Sequence, residues 1–534
     1  MSYRGPWTHA GGGEPRAQTV RMAAREVGRV TVSVAPPSDH REPPRGASDP
    51  FGHAECTGAG MKHSFLLPLA LASGLILTAC GARSSLTEPG VSDTCEPWSV
   101  HDGAATLVHY PDAPAVLDDG SVVVRMGASV GDANGVPDVT SFRSWLRKID
   151  PDGAIAWETG GDPDGVHFLA AARDAANGIY VTGSAEPGAQ SVLGAAVTCA
   201  GEGPCSFVAK LTQTGQPAWV KAFPSSSAAD WSSLRDLAVT DDGRITLGGG
   251  FDGTLDLGCG PATGTTDGNF GSLFVAQLSP SGECLWSRAI GDVHPAVERM
   301  AVDDAGDIAL VLTLEGPPGS SIDLGGGPIP FGSEHDLGSF AIAKYAPDGA
   351  LVFAKVATCE RAFVWPYVAL TGAGEVLLSA SCMGTINLGG GPRGSLDVDR
   401  LFVTKFGATG EELWTHDIAT ISVGSAGPPA IATEPGGSFF LAGQARPGMA
   451  LLGEPVPESA LFVAAFDAGG SPIDMQTFPF MHPPPHPGFL DVSGLSASAG
   501  SLVLAGYFDG ALDLGQSPLV SKGPQDAFVA RICR

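Results

Sequence analysis

Ten cysteines are the most reactive side chains in this 534-residue chain, and their setting decides what they do. Cys80 ends the run Leu77-Thr78-Ala79-Cys80, which follows a basic start at Met61-Lys62-His63-Ser64 and an apolar stretch from Phe65 to Leu77. A basic start, a short apolar core and small residues before a cleavage point make an export signal, and the stretch is short for a membrane span. With Cys56 and Cys80 set aside, eight cysteines remain. An even number in an exported chain predicts disulfides. None of the spacings looks like a zinc site.

The other chemistry-bearing patterns are weaker. Gly248-Gly249-Gly250-Phe251-Asp252-Gly253 satisfies G-x-G-x-x-G after a strand, but Leu255-Asp256-Leu257-Gly258 follows instead of the helix whose N-terminus would meet a pyrophosphate. Gly127-Ala128-Ser129-Val130-Gly131 fits G-x-S-x-G, yet a nucleophile elbow needs a strand-to-helix turn with a partnered His and acid, so Ser129 is read as a loop residue. His482 and His486 flank three prolines that impose extended backbone and separate the imidazoles. Asp303-Asp304-Ala305-Gly306-Asp307 and Asp132 to Asp138 offer hard oxygens for calcium, but Asp and Gly are also what turns need, and the pattern does not separate the two readings. No catalytic residue, cofactor site or metal site is assigned.

What must position any site is the backbone, and here the signal is strong. With 74 Gly and 43 Pro there is little room for long helices, and short aliphatic runs bounded by Gly, Asp, Asn and Pro indicate many short strands. A unit of about 60 to 67 residues recurs seven times. Each copy has a turn followed by a strand, as in Asn177-Gly178-Ile179-Tyr180-Val181 and Asp242-Gly243-Arg244-Ile245-Thr246. Each then has an aromatic-led strand, as in Phe207-Val208-Ala209-Lys210-Leu211 and Phe528-Val529-Ala530-Arg531-Ile532, usually followed by a Gly turn and Trp157, Trp219, Trp286, Phe353 or Trp414. Four strands per copy make a propeller blade, so the predicted fold is an all-β, seven-bladed β-propeller over residues 95–534.

The copies are out of phase with the chain ends. Cys95-Glu96-Pro97-Trp98-Ser99 matches the Trp strand Glu283-Cys284-Leu285-Trp286-Ser287 with no Phe-led strand before it, whereas the chain stops at Cys533-Arg534 just after one. The N-terminal strand is therefore expected to complete the last blade and close the ring. Cys95 and Cys533 would then face each other across adjacent strands, within disulfide range. Cys199 and Cys205 bracket a small loop, and Cys359 and Cys382 fall near one end of one blade. Cys259 and Cys284 pair by elimination, although the blade places them towards opposite ends.

The Leu-Thr-Ala-Cys ending resembles the lipobox of bacterial lipoproteins. That resemblance implies that Cys80 receives a diacylglyceryl group, with palmitate-type acylation, and becomes the first mature residue; Gly81 after it resembles the outer-membrane sorting pattern. The repeat resembles the bacterial β-propeller repeats often called SBBP repeats over residues 95 to 534, through the Phe-Val-Ala-Lys-type strands, the Trp residues and loops such as Phe508-Asp509-Gly510-Ala511-Leu512-Asp513-Leu514-Gly515. That resemblance implies a fold and almost nothing about activity.

The resulting organisation is an over-extended start at 1–60, a signal peptide at 61–79, a tether at 80–94 and the propeller at 95–534. The net charge of −27 disfavours nucleic acid and anionic headgroups, so contact with a membrane is expected through the lipid alone. The short turns fall at one end of the ring and the long connections at the other, where binding residues concentrate. The expectation is a monomeric, non-enzymatic cell-envelope module binding a protein or glycan on the long-loop face, without a cofactor. The alternative is an extracellular polysaccharide hydrolase or lyase with acids near the channel.

Overall fold

The computed structural model describes residues 95–534 except 105–106, 132–136, 161–164, 200–202, 225–230, 265–271, 292–293, 317, 333–338, 360–365, 422–426, 483–487 and 499. The export signal, Cys80, His486 and the 132–136 turn thus lie outside the described residues. Those described form no helix, and their strands pair antiparallel in sheets built mostly from consecutive stretches of chain, with Met449–Leu451 and Glu454–Pro455 added to the 367–421 sheet and Ala511–Leu512 and Leu519–Val520 to the 430–481 sheet, giving an all-β propeller. The sheets span 107–160, 166–223, 231–290, 294–358, 367–421 and 430–481, and a further sheet joins Leu490–Ser498, Ser501–Phe508 and Asp526–Cys533 to Trp98–Asp102. In that last sheet Trp98 lies opposite Arg531 and Asp102 opposite Ala527.

The turn between the two inner strands of a sheet explains the repeated Asp-Gly signature. Gly243 N–H donates to the Thr240 carbonyl at 2.8 Å, and Gly243 takes a φ of 83°, which favours glycine. The Phe-led strand lies third from the axis and is buried on both faces: Phe207, Val208 and Ala209 are all at 0% exposure. Sandwiching between neighbouring sheets accounts for its continuous apolar run.

Two features of the repeat tie several of the sheets to the next one in the chain. The aromatic residue of the outer strand lies on the glycine of the next sheet's outer turn: Trp157 on Gly215, Trp219 on Gly282, Trp286 on Gly349, Phe353 on Gly410, Trp414 on Gly470, and Trp98 on Gly153. Trp157 and Trp286 also donate their indole N–H to carbonyls of that turn, at Gln213 (2.9 Å) and Pro347 (3.0 Å). The 430–481 sheet has no aromatic there and leaves Ile473 and Met475 exposed, because the sheet it faces takes its outer strand from the N-terminal end and has no such turn.

The basic residue ending Phe-Val-Ala-Lys is the second tie. Lys344 donates to the Gly374 carbonyl (2.6 Å) and pairs with Asp307 (2.6 Å), Lys405 donates to the Ala468 carbonyl (3.0 Å), and Arg531 donates to the Pro151 carbonyl (3.0 Å). The Asp303–Asp307 segment is accordingly a turn held within its own sheet: Asp303 accepts the Asp307 N–H (2.9 Å), and Asp307 pairs with Lys344 of the same sheet.

Replacing Gly349 with alanine should separate the aromatic tie from backbone strain. A β-carbon at Gly349 would lie 2.8 Å from the Trp286 ring on backbone of φ 80°, whereas Gly327, at φ 99°, has nothing within 4 Å. Each substitution should cost about 1–2 kcal/mol for the left-handed backbone. Gly349→Ala should exceed Gly327→Ala in urea unfolding, and equal losses would show that the ring contact contributes nothing.

All four expected disulfides are formed, Cys95–Cys533, Cys199–Cys205, Cys259–Cys284 and Cys359–Cys382. The expectation that Cys259 and Cys284 sit towards opposite ends is corrected. The connection pairs Thr254–Leu255 with Ala262–Thr263, and the Asp256 carboxylate accepts the Gly258 (2.7 Å) and Gly260 (3.1 Å) N–H groups. This bends Leu-Asp-Leu-Gly back along the outer strand, bringing Gly258 beside Cys284. Asp323 holds Gly325 and Gly327 in the same way, so the glycine-rich loops carry a capped turn.

Candidate functional site

The inner strands meet around the axis, and one repeat position decides what occupies it. Aligned on the inner turn, that position holds Ala113, Ala170, Asp236, Arg299, Tyr367, Ala430 and Gly494. The strands carrying Ala170, Asp236, Arg299 and Gly494 each have a register shift just before it, at Phe168/Ala170, Ser233/Asp236, Val297/Arg299 and Val492/Gly494. Bulges of this kind re-aim side chains next to sites. Alanine and glycine satisfy the fold at four of these places, and three consecutive sheets instead carry a carboxylate, a guanidinium and a phenol.

Arg299 and Tyr367 reach across the axis, and Asp236 reaches the adjacent sheet. Asp236 accepts the backbone N–H of Met300 (2.6 Å) from the next sheet. Arg299 lies over the Tyr367 ring, 5.3 Å from its centroid, and donates to the Ser493 carbonyl at 3.3 Å. Tyr367 donates its hydroxyl to the neighbouring Val492 carbonyl at 2.8 Å. Side chains from the 294–358 and 367–421 sheets thus grip the inner strand of the last sheet, plugging the axis and linking sheets that are not neighbours.

This plug is rich in acid. Asp112 stands at the break between Leu107–Pro111 and Ala115–Val116 and interacts electrostatically with Asp236, Arg299 and Tyr367. Burial pushes the Asp236 carboxyl up to about 7; Arg299 opposes that rise and Asp112 adds to it. Burial also raises Asp491, whose carboxylate accepts the Tyr507 hydroxyl at 2.9 Å. Asp236, Arg299, Tyr367 and Asp491 are half-buried and keep some accessible surface.

A cavity of about 880 Å³ opens at the short-turn end and reaches inward to Ala113, beside Asp112. Its floor is apolar and small-residued, with Ala113, Val116, Leu117, Ala171, Ala172 and Ala497, and its rim carries Glu96, Asp118, Asp119, Asp152, Arg173 and Arg531. It exists because two inner elements are irregular: the Asp112–Pro114 break, and the tight turn that pairs Ser498 directly with Ser501.

The sequence motifs fall elsewhere. Ser129 is buried within Val122–Gly131 opposite Val108, and Gly248–Gly250 lie within Ile245–Asp252; neither run leads into a helix. His482 lies 3.5 Å from Asp509. Among the described residues no group of three or more His, Cys, Asp or Glu could hold a metal ion, and no helix is long and apolar enough to cross a membrane. Sequence reasoning missed the axial cluster, although aligning the copies three residues before each inner turn's last paired residue would have exposed Asp, Arg and Tyr against alanine.

No protein-family model and no curated protein matches this chain. Among solved structures, a protein of unknown function from Bacteroides caccae is 12% identical with a TM-score of 0.31, covering 62% of this chain and 89% of that one. One from Dyadobacter fermentans is 10% identical with a TM-score of 0.38, covering 82% and 98%. An ulvan lyase described as a new family of polysaccharide lyase is 8% identical with a TM-score of 0.39, covering 80% and 97%. Likenesses at this level assign no activity to this chain.

Proposed function

We propose that this chain is an exported, lipid-anchored seven-bladed propeller, closed by its N-terminal strand, that acts as a non-enzymatic binding module for an envelope or extracellular protein or glycan. The observation that carries this reading is the pairing of Trp98–Asp102 with Asp526–Cys533 beneath a Cys95–Cys533 bridge. Such a clasp suits an oxidising compartment, where disulfides persist. Trp98 on Gly153 and Arg531 on Pro151 support closure, since they join the last sheet to the first. The export signal supports the address, the lipobox supports an anchor at Cys80 with outer-membrane sorting, and the long connections at one end of the ring offer a surface for a ligand.

The test is the intact mass of the protein from its native membrane. A chain beginning at lipidated Cys80 that gains the eight hydrogens of four bridges on reduction is the expected result. A chain retaining residues before Met61, or free thiols throughout, would overturn export.

A second reading, an extracellular polysaccharide hydrolase or lyase, draws support from Asp236, because a carboxyl held at about 7 beside Asp112 suits a general acid. It requires polysaccharide cleavage that Asp236→Asn abolishes without loss of fold.

A further inference from the structure

The cavity at the short-turn end has a lining of mixed character. It combines a floor of small apolar residues with a rim that carries four carboxylates, Glu96, Asp118, Asp119 and Asp152, against two arginines. Both arginines are committed internally: Arg173 pairs with Asp118 at 3.0 Å, and Arg531 donates to the Gly120 and Pro151 carbonyls. Asp119 faces Arg531 and lies 3.9 Å from Lys148, so the carboxylates left open at the rim are Glu96 and Asp152.

The neighbouring turns deepen that field. Asp241 and Asp304, exposed on the inner turns of the next two sheets, interact electrostatically. Burial, and then Asp304, raise the Asp241 carboxyl; Arg173 opposes that rise and Asp118 adds a smaller push. Carboxylates crowded in this way are stabilised by a cation placed among them.

A cation that also fills the floor must carry its charge on an apolar stem. The lysine side chain has that form, with a compact ammonium on four methylenes that pack against apolar surface while the head stays at a polar rim.

We propose that this cavity is a docking site for a lysine-rich segment of a protein partner, with one lysine stem on the Ala113–Ala172–Ala497 floor and its ammonium between Glu96 and Asp152. The site is separate from the long-connection face and does not depend on whether a ligand binds there.

The geometry supplies a clean probe. Ala497 occupies the repeat position that carries Val239, Val302 and Leu370 in other sheets, so Ala497→Leu fills the cavity with a residue the fold already accepts there. Glu96→Gln with Asp152→Asn removes two rim charges and leaves Asp152's acceptor role towards the Ala154 N–H in place. Glu454→Gln with Asp474→Asn removes the same charge from exposed residues outside the cavity.

Hexalysine is titrated against the purified exported protein and these variants. Saturable binding is expected to weaken at least tenfold in Ala497→Leu, at least fivefold in the rim pair and less than twofold in the charge-matched pair. Absence of saturable binding overturns the proposal. So does equal weakening by the two charge-removed proteins, which would mean general attraction to an acidic surface, or an unaltered Ala497→Leu. Spermidine binding in the cavity as tightly as hexalysine would also overturn it, by making a free polyamine the occupant. None of these results bears on the exported binding-module reading, which the mass measurement tests separately.

Discussion

Protein carrying Cys95→Ser and Cys533→Ser should lose roughly 5 kcal/mol of stability, more than for any other bridge removed. The two cysteines are 438 residues apart, and constraining a loop of that length in the unfolded chain is worth about 6 kcal/mol by chain entropy. The remaining bridges already restrict that chain, which lowers the figure. Cys199 and Cys205 are only 6 residues apart, and their loss should cost about 2 kcal/mol on the same argument. The structural consequence is specific, because Trp98–Asp102 is then held to the last sheet by backbone pairing and to the first by Trp98 on Gly153. Denaturant midpoints of the two double variants check the ranking. A larger loss from the short loop would contradict the clasp role.

The second large effect should come from the axis. Arg299→Met removes the cation facing Asp236 and Asp112 and also the hydrogen bond to the Ser493 carbonyl, so a loss of about 3 kcal/mol is expected. Adding Asp236→Asn should recover part of that loss, because the carboxylate left without its cation disappears. Asp236 also sets a pH dependence. Its folded value of about 7 lies above the ordinary 3.8, so between these values the native state holds a proton that the unfolded state has released. Stability should therefore fall as pH rises from about 4 to about 7, and Asp236→Asn should flatten that slope. Urea unfolding of the four proteins across this range is the check. Strictly additive losses, or a slope unchanged in Asp236→Asn, would show that the two groups do not act together.

The repeat was legible because its signals are physical requirements made over and over. A sandwiched strand needs apolar residues on both faces, which gives Phe-Val-Ala; an outer strand that docks on the next sheet's glycine needs an aromatic, which gives Trp157, Trp219 and Trp286. The lysine in the same strands was less legible, since its role depends on a carbonyl about 30 residues away in the next turn, as with Lys344 and Gly374. Cys259 and Cys284 defeated a reading that treated the connection as running away from the sheet, because Asp256 caps a turn that brings it back.

The axial cluster was hidden for a different reason. Asp236, Arg299 and Tyr367 each sit singly in short strands, and only the ring brings them together. The cavity was hidden too, since it arises from two local irregularities, at Asp112–Pro114 and at Ser498–Ser501, that become neighbours only once the sheets are arranged about the axis.

The central claim is that Trp98–Asp102 and Asp526–Cys533 are joined in one sheet beneath the Cys95–Cys533 bridge. Proteolysis of the exported protein without reduction, followed by mass spectrometry of the linked peptides, tests it most directly. The account predicts that the peptide containing Cys95 is joined to the peptide containing Cys533 and that reduction releases both. Cys95 joined to any other cysteine, or recovered as a free thiol, would contradict it.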